Sequence, residues 1–258
     1  MKTPTPPSPT PTPAGKNDGI ISPAEYDQGA AGWLLAASDP AGVVLAQSFT
    51  QTKGLLSAVS FSGWQIARLV STVGATAVKA RFVILHDAQA RPHFSVALFA
   101  TDALDTRVSS YYLAQPYLPT QHAAGVSGVD AQAAGRRSPS VRALARYDVP
   151  DVLTRLWLND WSRVKRVTPD LFATSYGPLR GYSYGVEEFA GLLRDFSSLD
   201  GNKILLEFDL HGYFRTEPQG DVLVYTFGFL LWTEAGRKDN GGGGSGAVNM
   251  AQPCPPVC

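Results

Sequence analysis

The sequence predicts an α+β fold in which an antiparallel sheet is built from two helix-plus-β-hairpin units, with helices packed on one side. Three observations predict this fold. Two stretches have the i, i+3, i+4, i+7 apolar spacing of an amphipathic helix, and each leads into an apolar strand that returns after a polar turn as a second strand. The hairpin strands alternate apolar and mixed residues, which is typical of antiparallel sheets with one covered face.

The chain divides into five segments. Residues 1–17 alternate proline with threonine, which favours a disordered, polyproline-II-like leader. Residues 236–258 form a glycine-rich tail that ends in CPPVC and is predicted to be flexible. Between these ends we place a first helix-hairpin half at 18–113, a long connection at 114–140 that lacks apolar periodicity, and a second half at 141–235.

The first half is predicted to begin with a helix from Ser22 to Ser38. Ser22 suits the N-cap position, and the proline that follows it suits the first helical position. A second, amphipathic helix is predicted at Phe61–Val73. The hairpin strands that follow are Val78–His86 and His93–Thr101.

The second half repeats this order. A helix within Asp148–Val164 and a second helix within Tyr184–Phe196 precede strands at Ile204–Gly212 and Asp221–Trp232. The first of these helices is predicted to pack on the core through one face, which comprises Leu153, Leu156, Trp157, Trp161 and Val164.

The two amphipathic helices align without a gap. The apolar residues Ile66, Ala67, Leu69, Val70 and Val73 then fall on Phe189, Ala190, Leu192, Leu193 and Phe196. This match indicates an internal duplication. The alternative is that any α+β protein offers two helix-hairpin units whose apolar stripes align by chance.

The charge balance disfavours several classes of protein. Lysine plus arginine and aspartate plus glutamate both count 22, so the chain lacks the basic excess of a nucleic-acid-binding protein. We also expect no membrane span, because no window reaches about 18 uninterrupted apolar residues. The leader lacks the apolar core of a standard signal peptide, which favours a cytoplasmic location.

Known catalytic fingerprints are absent from the sequence. It contains no Walker loop, Rossmann glycine motif, HExxH helix or nucleophile elbow, so we predict no cofactor and no metal. The best constellation is His86, Asp209 and His211 near the ends of the first hairpin strands, where they would serve as acid, base or ligand. Asp209 and His211 project to one face of a strand. The alternative is that these residues are polar simply because the strands leave the core there.

The two cysteines, Cys254 and Cys258, lie in the tail and are candidates for thiol attachment to another chain. An extended polyproline-II segment would separate their Cα atoms by about 12 Å. A disulfide needs about 4.4–6.8 Å, so an internal bridge requires a turn. A tail whose cysteines have no role is the alternative.

Two features resemble a family of uncharacterised proteins from Bacteroidetes. They are an aromatic-led helix followed by an apolar strand and a second strand running into DALD (residues 102–105), and the CPPVC tail. The glycine spacer is longer here, and the chain stops at the second cysteine. The resemblance implies a bacterial source and transfers no function and no functional residue.

Together these observations favour a non-enzymatic interaction or scaffold protein that binds a protein partner or itself. The alternative function is a small hydrolase or metal-dependent enzyme that uses His86, Asp209 and His211.

Overall fold

The computed structural model describes residues 19–52, 54–117, 149–194, 196–234 and 252–253. It confirms the α+β class and the antiparallel pairing of the strands. The helices of the described residues are α1 (Pro23–Ser38), α2 (Val43–Ser48), α3 (Gly63–Val70), α4 (Asp151–Ser162) and α5 (Val186–Leu193), with a 3₁₀ helix at Pro169–Phe172. The strands are β1 (Ile20–Ile21), β2 (Thr50–Gln51), β3 (Gly54–Leu55), β4 (Ala58–Ser62), β5 (Ala77–His86), β6 (Pro92–Thr101), β7 (Tyr111–Leu113), β8 (Gln115–Pro116), β9 (Ala173–Thr174), β10 (Gly177–Pro178), β11 (Gly181–Gly185), β12 (Lys203–Glu217), β13 (Gly220–Thr233) and β14 (Gln252–Pro253).

Helix α1 begins where the sequence predicts. The Ser22 hydroxyl accepts a hydrogen bond from the backbone N–H of Glu25, and the Glu25 carboxylate accepts one from the backbone N–H of Ser22. This reciprocal pair satisfies two backbone donors that the first turn of a helix leaves unpaired. The helix end is therefore fixed by local chemistry.

The predicted helix at Phe61–Val73 is shorter than expected at both ends. Phe61 belongs to strand β4, and Ser62 caps α3 by accepting from the backbone N–H of Gln65. The helix ends at Val70, so the placement of Val73 in its apolar stripe is wrong, and Val73 is 94% exposed. The rest of the match holds in burial, since Ile66 and its counterpart Phe189 are both fully buried.

The inward face of α4 agrees with the predicted one at Trp157, Trp161 and Val164 and differs at the two leucines. Leu153 and Leu156 are exposed, whereas Thr154 and Trp161 are buried and Leu158 is partly buried. The two tryptophans and Thr154 therefore face the sheet, and the two leucines do not.

The strands form two larger sheets, where the sequence predicts one. The first has the order β1-β7-β6-β5-β11-β14 and the second the order β13-β12-β4-β8. Two small hairpins, β2–β3 and β9–β10, complete the described strands. The inner faces of the larger sheets share one core, in which Phe82 of β5 contacts Phe227 and Phe229 of β13 at ring distances of 5.6 and 5.5 Å.

Each half contributes one strand to the other half's sheet. Strand β4 of the first half pairs with β12 of the second, with Val59 opposite Leu206. Strand β11 of the second half pairs with β5 of the first, with Tyr182 opposite Ala80. Each sheet therefore has hydrogen bonds that cross between the halves, which is a pairing that the sequence does not predict.

One buried tryptophan from each half, Trp33 and Trp161, makes a similar contact with the other half. The indole N–H of Trp33 in α1 donates to the carbonyl oxygen of Leu179 at 2.8 Å. The indole N–H of Trp161 in α4 donates to the carbonyl oxygen of Leu56 at 3.3 Å. The backbone N–H of Leu56 donates to the carbonyl oxygen of Phe49, and that of Leu179 donates to the carbonyl oxygen of Phe172. Each tryptophan therefore contacts an equivalent backbone position in the other half.

The β12–β13 hairpin is longer than its counterpart. The last residue pair of the β5–β6 hairpin is His86 with Pro92. By the strand register, His86 corresponds to Gly212 of β12. Beyond Gly212 the second hairpin continues for the five pairs that join residues 213–217 to residues 220–224. At about 3.4 Å per residue this extension is about 17 Å long, and we call it the hairpin arm.

The tryptophan exchange yields a stability prediction. Trp33→Phe and Trp161→Phe each remove a buried indole N–H donor. The carbonyl oxygen that accepted from it then loses its hydrogen bond, and the smaller ring leaves a gap in the packing. We expect each substitution to lower the free energy of unfolding by about 2–3 kcal/mol in urea denaturation.

Trp64→Phe is the matched control, because Trp64 is 50% exposed and bonds Asp200 at the surface. It should change stability by about 0.5 kcal/mol or less. Equal losses in all three variants would contradict the role given to the two buried indoles.

Candidate functional site

Asp209 and His211 lie in contact on the outer face of strand β12. Alternation along the strand directs both side chains away from the shared aromatic core, which receives Phe208 and Leu210 instead. Nε2 of His211 lies 3.1 Å from Oδ1 of Asp209. Asp209 is fully buried, whereas the His211 side chain is 31% exposed, so the histidine connects the carboxyl group to solvent.

A glycine makes room for this pair. Gly228 of β13 stands directly opposite Asp209 in the strand register. A Cβ atom at Gly228 would lie 2.2 Å from Oδ1 of Asp209 and 3.0 Å from Nε2 of His211. The Asp209 carboxyl group therefore folds over the glycine backbone, and any larger residue at that position would displace it.

Helix α4 covers the pair from outside. The Trp157 indole stacks on the His211 ring with a centroid distance of 4.0 Å and an interplanar angle of 28°. This stacking fixes the orientation of the imidazole plane. Sequence reasoning placed Trp157 on the core-facing side of its helix but did not connect it with His211.

The environment of Asp209 favours its neutral form. Burial raises the pKa of this carboxyl group, and the hydrogen bond and charge interaction with His211 oppose the rise in pKa without cancelling it. Both carboxyl oxygens are buried, and neither has a partner in hydrogen-bond geometry among the described residues, although Nε2 of His211 lies 3.1 Å from Oδ1. The arrangement can hold and exchange a proton between a carboxyl group and an imidazole, which is the chemistry of an acid–base pair.

His86 is not part of this arrangement. It ends strand β5 in the other sheet and is exposed. The pKa of nearby His93 is lowered mainly by burial, and the charge of His86 adds a smaller effect in the same direction. Asp87, which follows it, forms an ion pair with Arg91 at 2.8 Å. The sequence analysis groups His86 with His211 because both lie near the end of a first hairpin strand, but the strand register matches Leu85 to His211 and His86 to Gly212.

The corresponding place in the first half is apolar. By the same register Val83 and Leu85 stand where Asp209 and His211 stand in the second half. Gly29 of α1 lies against them, since a Cβ atom there would be 3.0 Å from atoms of both side chains. The buried carboxyl group is therefore a feature of the second half and not of both halves.

Metal ligands are not clustered in the described parts of the chain. No group of three or more histidine, cysteine, aspartate or glutamate side chains there is placed to hold an ion. Cys254 and Cys258 lie outside the described residues.

The raised pKa of Asp209 predicts the pH dependence of an Asp209→Asn variant. A carboxyl group whose folded-state pKa is raised stabilises the fold when protonated, and that stability is lost as the pH rises through the folded-state pKa. Asp209→Asn should therefore be more stable than the wild type by about 1–3 kcal/mol at pH 8. The difference should shrink as the pH falls below the raised pKa, as measured by urea denaturation at several pH values.

Asp27→Asn, at an exposed position of α1, is the control and should follow the wild type at every pH. A loss of stability in Asp209→Asn at pH 8 would mean that favourable interactions stabilise the charged carboxylate, and it would contradict the prediction that burial destabilises the charged form.

Among the described helices, none combines the length and the apolar character that crossing a membrane requires. Compared with known proteins, the chain matches no family model, no curated protein and no solved structure.

Proposed function

We propose that this chain is a non-enzymatic interaction or scaffold protein, built by internal duplication, that associates with a second copy of itself through the hairpin arm. The observation that carries the proposal is the apolar surface of the arm. Tyr213, Phe214, Val222 and Leu223 of the arm are all exposed, with Phe214 at 72%, and Tyr225 at the base of the arm is exposed as well. Contiguous exposed apolar patches on soluble domains mark interaction sites.

The arm carries apolar residues on both of its faces. Phe214 stands opposite Leu223 on one face, and Tyr213 stands opposite Val224 on the other. A two-stranded ribbon that is apolar on both faces is marginal alone in water, because it has no layer against which to pack. A partner that covers both faces would stabilise it.

The arm also offers unpaired edges. Strand β13 is the terminal strand of its sheet within the described residues, and β12 has a second partner only over Lys203–Glu207. Long apolar edge strands are templates for pairing with another chain. A second arm fits this edge because a twofold axis would set two β13 edges antiparallel with like residues in matching places.

Internal duplication is supported by positions that correspond across the halves. The two small hairpins have the same register, with Gln51 opposite Gly54 and Thr174 opposite Gly177. Backbone bonds from Phe82 to Arg180 and from Phe208 to Ser57 join each long strand to the segment before the other half's single strand. A single ancestral unit that paired as a twofold dimer before fusion accounts for this reciprocity.

A small hydrolase is the second candidate function, and the contact between Asp209 and His211 favours it. A carboxyl group that orients a histidine is half of the usual arrangement for activating a nucleophile. Thr226 stands opposite His211 in the strand register, so its hydroxyl group is the candidate nucleophile. Of the predicted residues, His86 has no place in this version of the hypothesis.

The arm predicts the outcome of a double substitution. Phe214→Ser combined with Leu223→Ser should weaken self-association at least about tenfold, because it removes a cross-strand apolar pair from the contact. Sedimentation velocity over a range of protein concentrations measures this effect. At a concentration low enough to keep the wild type monomeric, the melting temperature should change little, since both side chains are solvent-exposed in the monomer.

Leu35→Ser combined with Val73→Ser is the matched control, since both residues are highly exposed and lie outside the arm. It should associate as the wild type does. A wild-type chain that remains monomeric at high concentration would contradict self-association through the arm.

The hydrolase hypothesis makes a separate prediction. Turnover of simple activated esters or phosphoesters should fall about 10²–10⁴-fold in His211→Gln, because a general base is lost. Asp27→Asn should leave turnover unchanged. If the wild-type chain hydrolyses none of these substrates, or if His211→Gln retains full turnover, this second candidate is rejected.

A further inference from the structure

A short motif occurs twice in the chain, after the second hairpin strand of each half. Residues 114–119 read AQPYLP and residues 251–256 read AQPCPP, so four of six residues are identical. Each copy contains one of the short edge strands. Strand β8 is the Gln-Pro of the first copy, and strand β14 is the Gln-Pro of the second.

The two Gln-Pro strands pair at corresponding places. In the first copy, Pro116 lies opposite Val59 and Gln115 opposite Ser60 of β4. In the second copy, Pro253 lies opposite Tyr182 and Gln252 opposite Ser183 of β11. The alignment that matches α3 to α5 also matches Val59 to Tyr182 and Ser60 to Ser183. Each Gln-Pro strand therefore pairs with the free edge of the strand, β4 or β11, that one half contributes to the other half's sheet.

The first copy shows how such a segment crosses from one sheet to the other. Strand β7, just before the motif, covers the edge of β6 with Leu113 opposite Ala97. Ala114 then donates its backbone N–H to the carbonyl oxygen of Val96, and its own carbonyl oxygen accepts from the Ser95 hydroxyl. The chain next enters β8 on the second sheet.

In the second half no described strand pairs with the corresponding edge. Leu230 and Leu231 of β13 match Ala97 and Leu98 of β6, and no strand covers them among the described residues. The residues that match β7 are Val248, Asn249 and Met250, which immediately precede the second motif.

We infer that the edge of β13 at Leu230 and Leu231, together with the edge of β11, is the docking site of this chain's own C-terminal segment, residues 248–253, which pairs there as β7 and β8 pair in the first half and leaves the edge of the hairpin arm free. Met250 is then opposite Leu230, and Asn249 is opposite Leu231. The bound segment ends in proline, which has no N–H to offer to a further strand, so it also terminates the sheet.

The connecting chain is long enough for docking within one molecule. In the first half nine residues, 102–110, link the end of β6 to β7. In the second half thirteen residues, 235–247, span the corresponding gap. The glycine-rich link is four residues longer than its counterpart, so it is long enough to reach the site. Thirteen residues are still few for a linker, which keeps the effective concentration of the segment at the site high.

Docking changes the expectation for the cysteines. Cys254 directly follows Pro253, which lies opposite Tyr182 of β11, so the docked segment would hold this cysteine near that edge and not at the end of a free tether. Its place in the motif is that of Tyr117, which is buried in the first half beside Leu205 and Trp232. Attachment to another chain would then require release of the segment.

The test compares the full chain with a chain that ends at Gly246. Hydrogen exchange of the peptides that contain β11 and the base of β13 should become at least about tenfold faster in the shortened chain, and its melting temperature should fall by roughly 2–4 °C. A chain of full length with residues 247–258 scrambled should behave like the shortened one.

A peptide of residues 247–258, with Cys254→Ser and Cys258→Ser, provides the direct measurement. By fluorescence anisotropy it should bind the shortened chain but not the full chain, whose site is already occupied. Unchanged exchange in the shortened chain, or equal peptide binding to both chains, overturns the proposal. Protection that disappears on dilution of the full chain would assign the site to a neighbouring copy's tail and overturn docking within one molecule.

Discussion

The exchange of single strands between the halves is the constraint on which the rest of the structure depends. Over their whole lengths β4 pairs with β12 and β11 pairs with β5, whereas the strands β8 and β14 on their other sides are only two residues long. The exchange brings the two sheets face to face, so that phenylalanines from both hairpins share one core. It also sets α4 over the outer face of β12, where Trp157 meets His211.

Sequence periodicity predicted the local elements well and their partners poorly. The helix at α1 was predictable because Ser22 and Glu25 satisfy each other's backbone donors within four residues. The strands of both hairpins were predictable because alternation is a local property. The pairing between β4 and β12 was not predictable, because alternation indicates which face of the sheet a residue occupies but not which strand lies beside it.

The candidate site was predictable in part for the same reason. Asp209 and His211 share a face because they are two residues apart on one strand. His86 was grouped with them by its place in the hairpin, and a shift of one residue in register separates the two histidines' positions. Gly228 was missed, although a glycine that interrupts an apolar strand is a signal of close approach by another group.

Reciprocal strand exchange has a consequence for how the chain folds. Neither half has a complete sheet of its own, so neither can reach a stable state before the other has been synthesised and has contributed its strand. Folding should therefore be a single cooperative event dominated by contacts distant in sequence. The two halves, expressed as separate polypeptides, should be unfolded alone and fold when mixed, which makes the connection between them a natural place to divide the protein into complementing fragments.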